Sequence, residues 1–447
     1  MGSGAPPRPH PFRWEFVEQS FAEADFLWRR RERALVAADY NLAEVGRLVD
    51  ERLLGCFDGM LLAAPPIVER LLEPALATDS QPALAIAAYV LGSGDEMCWQ
   101  ALMAHLQGAE RDRLTALVRG LELVTSVDIV ARLQLDPGRA SAAVLAAALD
   151  VCAFQRRDPG PHVGGLVNAG DMRLAHSVLV AARCAALPVA EGAIVAGLGL
   201  APPARDAAIE SGVIAGVRAA RAACSELIRR AAPDCGPLLL LGALFGTSDR
   251  EHRDVVSALG NAALAPDAVR ALGFAGTLAA ADTCVDLVRQ GLLPELACEA
   301  FCMVTGVDLD GDRLRAVERR AEGAGLPPLE EDDLDGDLTA RAGEGLPRAD
   351  AGALDRWWSA HRGRFEPGRR YLLGRPFDRQ ASLRALREGP MRTRHGLALD
   401  LAIQSGGQLQ LETRTWARSQ QALLGEWARM ERAAGPRGYR QHVPAGA

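Results

Sequence analysis

The sequence predicts an all-α fold, an α-solenoid of helical-hairpin repeats closed at its C-terminal end by a small, mostly helical module. Three observations carry that expectation. Aromatic residues make up only 5% of the 447, while Ala and Leu fill much of a 49% hydrophobic share. That composition suits closely packed helices better than sheets, whose surfaces favour branched and aromatic side chains. Helix starts marked by Pro or Asp recur at Asp136-Pro137, Asp171, Pro203, Gly236-Pro237, Pro266 and Pro294, in steps of 34, 32, 34, 29 and 28 residues. Pro suits a first helical turn because the N–H it lacks would go unbonded there anyway. Finally, Val124-Thr-Ser-Val-Asp128 is echoed by Val304-Thr-Gly-Val-Asp308, 180 residues or six units of 30 further on. A period near 30 with two helices per unit is the mark of stacked repeats, in which no unit buries its own apolar face.

The elements follow in order. Trp14, Val17, Phe21, Ala24 and Trp28 are spaced 3, 4, 3 and 4 and form one apolar helical face. After a break at Ala38 to Asn41, Asn41 and Glu44 make a capping-box pair. The helix they open carries Val45, Leu48, Val49, Leu53, Cys56 and Phe57 on one side. These two helices define an N-terminal hairpin over residues 13–76. The repeats occupy 77–321, each start leading into an Ala/Leu/Val-rich helix and then a more charged one, as in Ala140 to Leu149, Ala207 to Ile228 and Leu264 to Gln290. Residues 322–353 read as a linker or edge insertion, because Glu330 to Asp337 holds six acids within eight residues and buries nothing. The module at 354–435 then offers a helix around Leu354 to His361, a turn at Pro367-Gly368, short helices near Ser382 and His395, a short strand at Gln408 to Thr413, and a last helix from Ala417 to Arg432.

Charge divides the chain. The net charge is −7, yet from Asp355 onward 17 Arg face 8 acids, a balance of +9 that leaves residues 1–354 at −16. An acidic body and a basic module offer partners two different surfaces. There is no Lys, so all 50 basic residues are Arg, which removes Schiff-base lysines and lysine-dependent phosphate loops. The nine Cys are scattered, without a Cys-x-x-Cys pair, and read as small core residues of a reducing compartment. The start of the chain does not read as a secretory signal, and Pro237 to Phe245 is about half the roughly 20 residues a membrane crossing needs. A cytoplasmic protein with no membrane span is the expectation.

The chemistry-bearing motifs fail on inspection. Asp308-x-Asp310-Gly-Asp312 opens like a calcium loop, but Arg313 and Arg319 stand where Gly and the bidentate Glu are required. A helix N-cap with acids in its first turn fits better. Gly197-x-Gly199 is followed by Pro202 at the third glycine position of a dinucleotide fingerprint. Cys298 and Cys302 share a helical face and read as core, and His105, His176 and His252 stand isolated. No metal, no cofactor and no catalytic residue is expected.

The most distinctive segment runs from Trp357 to Pro376. Rings interleaved with guanidinium groups can form a recognition patch for a protein, a phosphate or a single-stranded nucleic acid, with Trp357, Trp358, His361, Arg364, Arg369, Arg370 and Tyr371 as its candidate contacts. The alternative is a small core of Trp357, Phe365 and Tyr371, with Arg364 and Arg370 stacked on rings or paired with acids. A second Arg group, Arg384, Arg387, Arg392 and Arg394, reads as a solvated face.

Two segments carry a family resemblance. Glu18-Gln19, Glu23-Ala24, Phe26-Leu27-Trp28 and Arg33, then Tyr40-Asn41-Leu42, Glu51-Arg52-Leu53 and Asp58-Gly59, resemble the opening of an uncharacterised proteobacterial family of HEAT-like helical-repeat proteins. Trp357-Trp358 through Arg364-Phe365, Gly368-x-Arg370-Tyr371 and Gly374-x-Pro376 is similar to that family's C-terminal signature. The likeness covers about 45 residues at the start and about 50 at the end, and departs after Pro376, where the chain reads His395-Gly-Leu-Ala-Leu-Asp400-Leu-Ala. It implies a HEAT-like solenoid with no catalytic residue to carry over. Members are often encoded near type VI secretion genes, which implies an accessory or cargo-handling role. The functional expectation is a non-catalytic scaffold or adaptor for a protein partner, such as a secretion cargo. Nucleic-acid or phosphate binding through the C-terminal Arg/aromatic module is the alternative, and the −16 of the main body counts against nucleic acid there.

Overall fold

The computed structural model describes residues 13–63, 66–107, 109–133, 140–160, 163–185, 187–246, 249–316 and 342–434. The acidic run 330–337 and the helix start at Asp136-Pro137 lie outside the described residues. The fold is all-α, with one two-residue antiparallel ladder among the described residues, Tyr371–Leu372 against Arg375–Pro376. Among the described residues no helix is long and apolar enough to cross a membrane.

The chain forms two compact units. The first takes residues up to Ala220 together with Leu383–Pro436, and the second takes Arg221–Ser382. Where the sequence joins 354–435 into one module, packing therefore divides it after Ser382.

In the first unit the helix Trp14–Ala34 packs on Glu51–Leu61. Val17, Ala24 and Trp28 are buried, as are Val45, Val49, Leu53, Cys56 and Phe57 across from them. The capping box at Asn41 forms: its side chain accepts the Glu44 amide at 3.0 Å, and the Glu44 carboxylate accepts the Asn41 amide at 2.9 Å. Beyond this hairpin, Gln81–Ser93 packs on Arg111–Glu122, that helix on Ala142–Phe154, then Met172–Ala182, then Ala204–Ala215, with shorter helices between them. Arg111–Glu122 lies so close to its neighbour that a Cβ on Gly120 would overlap the Ala85 carbonyl. The expected starts at Asp171, Pro203, Gly236-Pro237, Pro266 and Pro294 all open helices, and the Asp171 side chain caps the Leu174 amide at 2.9 Å. Gly216 and Gly276, both left-handed at φ 78° and 66°, end the first helix of their pairs.

Sequence-distant segments meet in this unit around Trp416, which is fully buried. Its indole donates to the Leu123 carbonyl at 2.8 Å, its ring stacks edge-on against Phe57 and Tyr89, and the Arg31 guanidinium lies 4.9 Å over it. Arg31, also fully buried, bonds Asp50 at 2.7 Å and the carbonyls of Arg414 and Thr415 at 2.9 and 3.2 Å. The other Asp50 oxygen caps the last helix, accepting the Ala417 amide at 2.7 Å.

Three expectations are corrected. Gln408 to Thr413 is not a strand, because no neighbouring strand takes up its backbone groups. Its side chains work instead, with Gln410 donating to the carbonyls of Arg183 at 3.1 Å and Gly407 at 2.9 Å. Asp308 to Asp312 does not open a helix; the acids close a turn, with Asp308 accepting the Asp310 amide and Asp312 accepting the Asp308 amide. Arg394 is not on a solvated face. It is fully buried, bonds Gln420 through one nitrogen, and leaves Nε and Nη1 without partners. Burial lowers its pKa to about 10, so it stays cationic at neutral pH.

In the second unit Gly236–Phe245 packs on Ala265–Ala275, which packs on Pro294–Thr305; Leu278–Gln290 contacts Pro294–Thr305 and Ala351–His361.

Two predictions follow from this packing. Trp416→Ala removes the largest buried side chain and strands the Leu123 carbonyl, so urea denaturation should show a loss of about 3–5 kcal/mol; a loss under about 1 kcal/mol would show that the site closes without it. Arg394→Met removes a buried cation that no described carboxylate offsets, so the same measurement should show no loss, or a gain of about 1 kcal/mol or more.

Candidate functional site

The first unit holds a cleft of about 450 Å³ whose walls come mainly from helices that pack one on the next. Trp14–Ala34 supplies Trp28 and Glu32, Arg111–Glu122 supplies Arg119 and Glu122, and Ala142–Phe154 supplies Asp150 and Phe154. Met172–Ala182 and its cap add Arg173, His176 and Arg183, while Glu412 and Arg414 close one side. On each helix these residues sit three, four or seven positions apart, which keeps them on one face. Between helices they recur near the sequence period: Glu122, Phe154 and Arg183 at steps of 32 and 29, and Arg119, Asp150 and Val180 at steps of 31 and 30.

Arg119 organises the centre. Its Nε and Nη2 donate to Glu32 at 3.2 and 3.0 Å, its Nη1 to Glu122 at 3.1 Å, and its Nη2 also reaches the Arg414 carbonyl at 3.2 Å. The guanidinium lies 5.5 Å over the Phe154 ring. Arg414 donates to the second Glu32 oxygen at 2.7 Å. Further along, Arg173 pairs with Asp150, and Arg183 donates to Glu210 at 3.0 Å. Arg156, in a left-handed backbone conformation at φ 58°, donates to Gln410 at 2.8 Å and faces Glu412 at 3.8 Å. The His176 ring lies 3.3 Å from the Pro203 carbonyl.

These surroundings set the two glutamates apart. Burial works against a charged Glu32, but Arg119, Arg414 and Arg31 outweigh it and hold the carboxyl at about 2. At Glu122 burial prevails over Arg119 and Arg414, with Glu412 and Asp150 adding repulsion, and the carboxyl is pushed up to about 7. Burial likewise raises Asp150 against the pull of Arg173. The cleft therefore combines fixed cations with a carboxyl that gains or loses its proton near neutral pH. Among the described residues no group of three or more His, Cys, Asp or Glu could hold a metal ion.

The sequence-selected residues lie in the second unit. Trp358 and Tyr371 are buried, Trp357, His361 and Arg370 half-buried, and Arg364 and Arg369 exposed. Rings run in series from Trp357 and Trp358, both edge-on to Phe301, through Phe365 to Tyr371, with His361 stacked on Trp357. Trp358 donates to Asp282 at 2.9 Å, and Arg362 grips the same carboxylate through two bonds of 2.8 Å. Arg369 pairs with Glu366 at 3.3 Å. The backbone that follows caps two helices: Tyr371 donates to the Gly276 carbonyl at 2.7 Å, Leu373 to Met303 at 2.7 Å, and Gly374 to Val304 at 3.0 Å. Arg370 donates to the carbonyls of Phe274 and Ala275 and stacks on Phe377 at 4.2 Å. These contacts supply donors and positive charge to carbonyl-rich helix ends. Cys298 is buried and Cys302 half-buried in Pro294–Thr305.

Sequence reasoning missed the cleft because its charged residues carry no local motif. The signal that could have found them is polar character recurring at the repeat step, as in Arg119 and Asp150. Comparison with protein-family models, with curated proteins and with solved structures finds no match for this chain.

A carboxyl raised in the folded state favours folding while it keeps its proton. That contribution is whole below the ordinary pKa of a glutamate and is lost as pH rises through about 7. Between pH 5 and pH 8 the wild type should therefore lose about 2–3 kcal/mol of stability that Glu122→Gln does not lose. Urea midpoints of both proteins at the two pH values check this; parallel pH profiles would refute it.

Proposed function

We propose that this chain is a scaffold of stacked helical-hairpin repeats that holds a protein partner in the charged cleft of its first unit. The observation that carries this reading is that four of the helices lining the cleft, Gln81–Ser93, Arg111–Glu122, Ala142–Phe154 and Met172–Ala182, stack one on the next at steps of about 30 residues. Repeats that stack side by side align the same position of each unit along one surface, and such surfaces bind partners. The lining suits a protein. Arg119, Arg173, Arg183 and Arg414 stand beside Trp28 and Phe154, and Arg with aromatic rings dominates the energetics of protein interfaces. A HEAT-like solenoid serving as an accessory or cargo handler for type VI secretion is the form this role takes under the family resemblance of the chain's two ends.

Thr115 is exposed on the cleft rim, so Thr115→Trp should obstruct the cleft without touching the core. The full chain, the Thr115→Trp variant and an Arg364→Glu, Arg369→Glu variant of the second unit would each be used to capture partners from host lysate. A specific protein held by the wild type and by the double variant, and reduced at least tenfold by Thr115→Trp, is the expected result. Equal capture by all three would reject the cleft as the contact, and retention of nuclease-sensitive material alone would replace the reading with nucleic-acid binding.

A further inference from the structure

We infer that the cleft recognises its ligand through an oxyanion, a carboxylate or phosphate group received by the wall that Arg173 and Arg183 form. The inference deepens the partner reading and rests on it only for the source of that group. The first support is a shortage of acceptors. A guanidinium has five N–H donors, yet Arg173 has one carboxylate partner, Asp150, and Arg183 has Glu210. Arg156 shares Gln410, Glu412 and the Cys184 side chain. In all three the Nε–H is buried without an acceptor. One such group costs about 1–3 kcal/mol, and three along one stretch of the first unit mark a place built for more negative charge than the chain supplies.

The second support is the state of the acids. Four Arg and four carboxylates line the cleft, which would balance if every carboxyl were ionised. Burial pushes the Glu122 carboxyl up to about 7, and Asp150 is shifted in the same direction. The balance tips positive beside Arg119, the partner of Glu122, and beside Arg173, the partner of Asp150. The third is access. Arg173 and Arg183 line the cleft with side chains that keep 27% and 13% of their surface exposed, and a guanidinium fork suits a bidentate oxyanion. The volume of about 450 Å³ admits either a small polyanion or the acidic side chains of a peptide.

Titration calorimetry of the full chain at fixed salt tests this with citrate, pyrophosphate, an octa-aspartate peptide and spermidine. Citrate or pyrophosphate should bind, with affinity falling at least tenfold in Arg173→Gln and in Arg183→Gln and holding in Arg364→Gln, an exposed Arg of the second unit. Circular dichroism and urea midpoints show whether each variant remains folded. Tighter binding of the peptide than of citrate points to an acidic segment of a partner as the source, and binding of the small ions alone points to a free polyanion; both support the oxyanion site. Binding of spermidine in place of the anions, no binding by any anion, or equal binding in folded Arg173→Gln, Arg183→Gln and wild type would overturn it. The two readings fail separately: anion binding without a captured protein ends the scaffold reading alone, and a protein captured equally by Arg183→Gln and wild type, with no anion bound, ends this one alone.

Discussion

The buried ion pair of Arg31 and Asp50 is the constraint on which the first unit depends. An isolated buried cation is costly, and one carboxylate seldom repays the loss of water. Here the guanidinium also takes two backbone carbonyls and lies on the Trp416 ring, while Asp50 keeps its second oxygen for the Ala417 amide. Every one of those additional partners comes from Arg414 to Ala417. The pair is thus tolerable in the core only when that segment is in place, and the segment is also held by the Trp416 indole on the Leu123 carbonyl and by Arg414 on Glu32. Arg414 and Glu412 reach the cleft because the same stretch is anchored, and Arg119 spans the join by bonding both Glu32 and the Arg414 carbonyl. Core and cleft share one set of bonds.

The second unit solves a different problem with similar residues. Helices ending at Gly276 and Gly306 present carbonyls that need donors, and the chain from Arg370 to Gly374 supplies them. A Cβ on Gly276 would meet the Tyr371 carbonyl at 2.5 Å, so the absence of a side chain lets the capping strand approach. The aromatic series beneath, from Phe301 to Tyr371, gives the cap an apolar footing. Arg364 and Arg369 remain turned to solvent.

Local signals were legible and distant ones were not. Helix starts at Asp171, Pro203, Pro237, Pro266 and Pro294 could be read because capping is decided within one turn. Asn41 and Glu44 were legible for the same reason. Arg31 was not, since it sits in the run Arg29-Arg30-Arg31 and only its partners at 50 and 414–416 distinguish it from its neighbours. Gln408 to Thr413 misled through its alternation, which implies a strand only if another strand is available to pair. Arg394 misled through its charge, because nothing nearby in sequence announces that its helix is buried on nearly every side. The cleft needed both the spacing of the helix starts and the polar residues placed on those helices, and the spacing alone was read.

The docking of Trp416 has a consequence in time. Between Tyr89 and Trp416 lie 326 residues of chain, which at 5–20 residues per second take roughly 16 to 65 s to synthesise. Throughout that interval Phe57, Tyr89 and the Arg31–Asp50 pair exist without the indole that covers them. The nascent chain therefore carries an open apolar slot with a half-satisfied charge in it, the kind of surface that chaperones hold and that neighbouring chains invade. Completion of this core waits on Trp416, more than 300 residues after Phe57 and Tyr89 have been made.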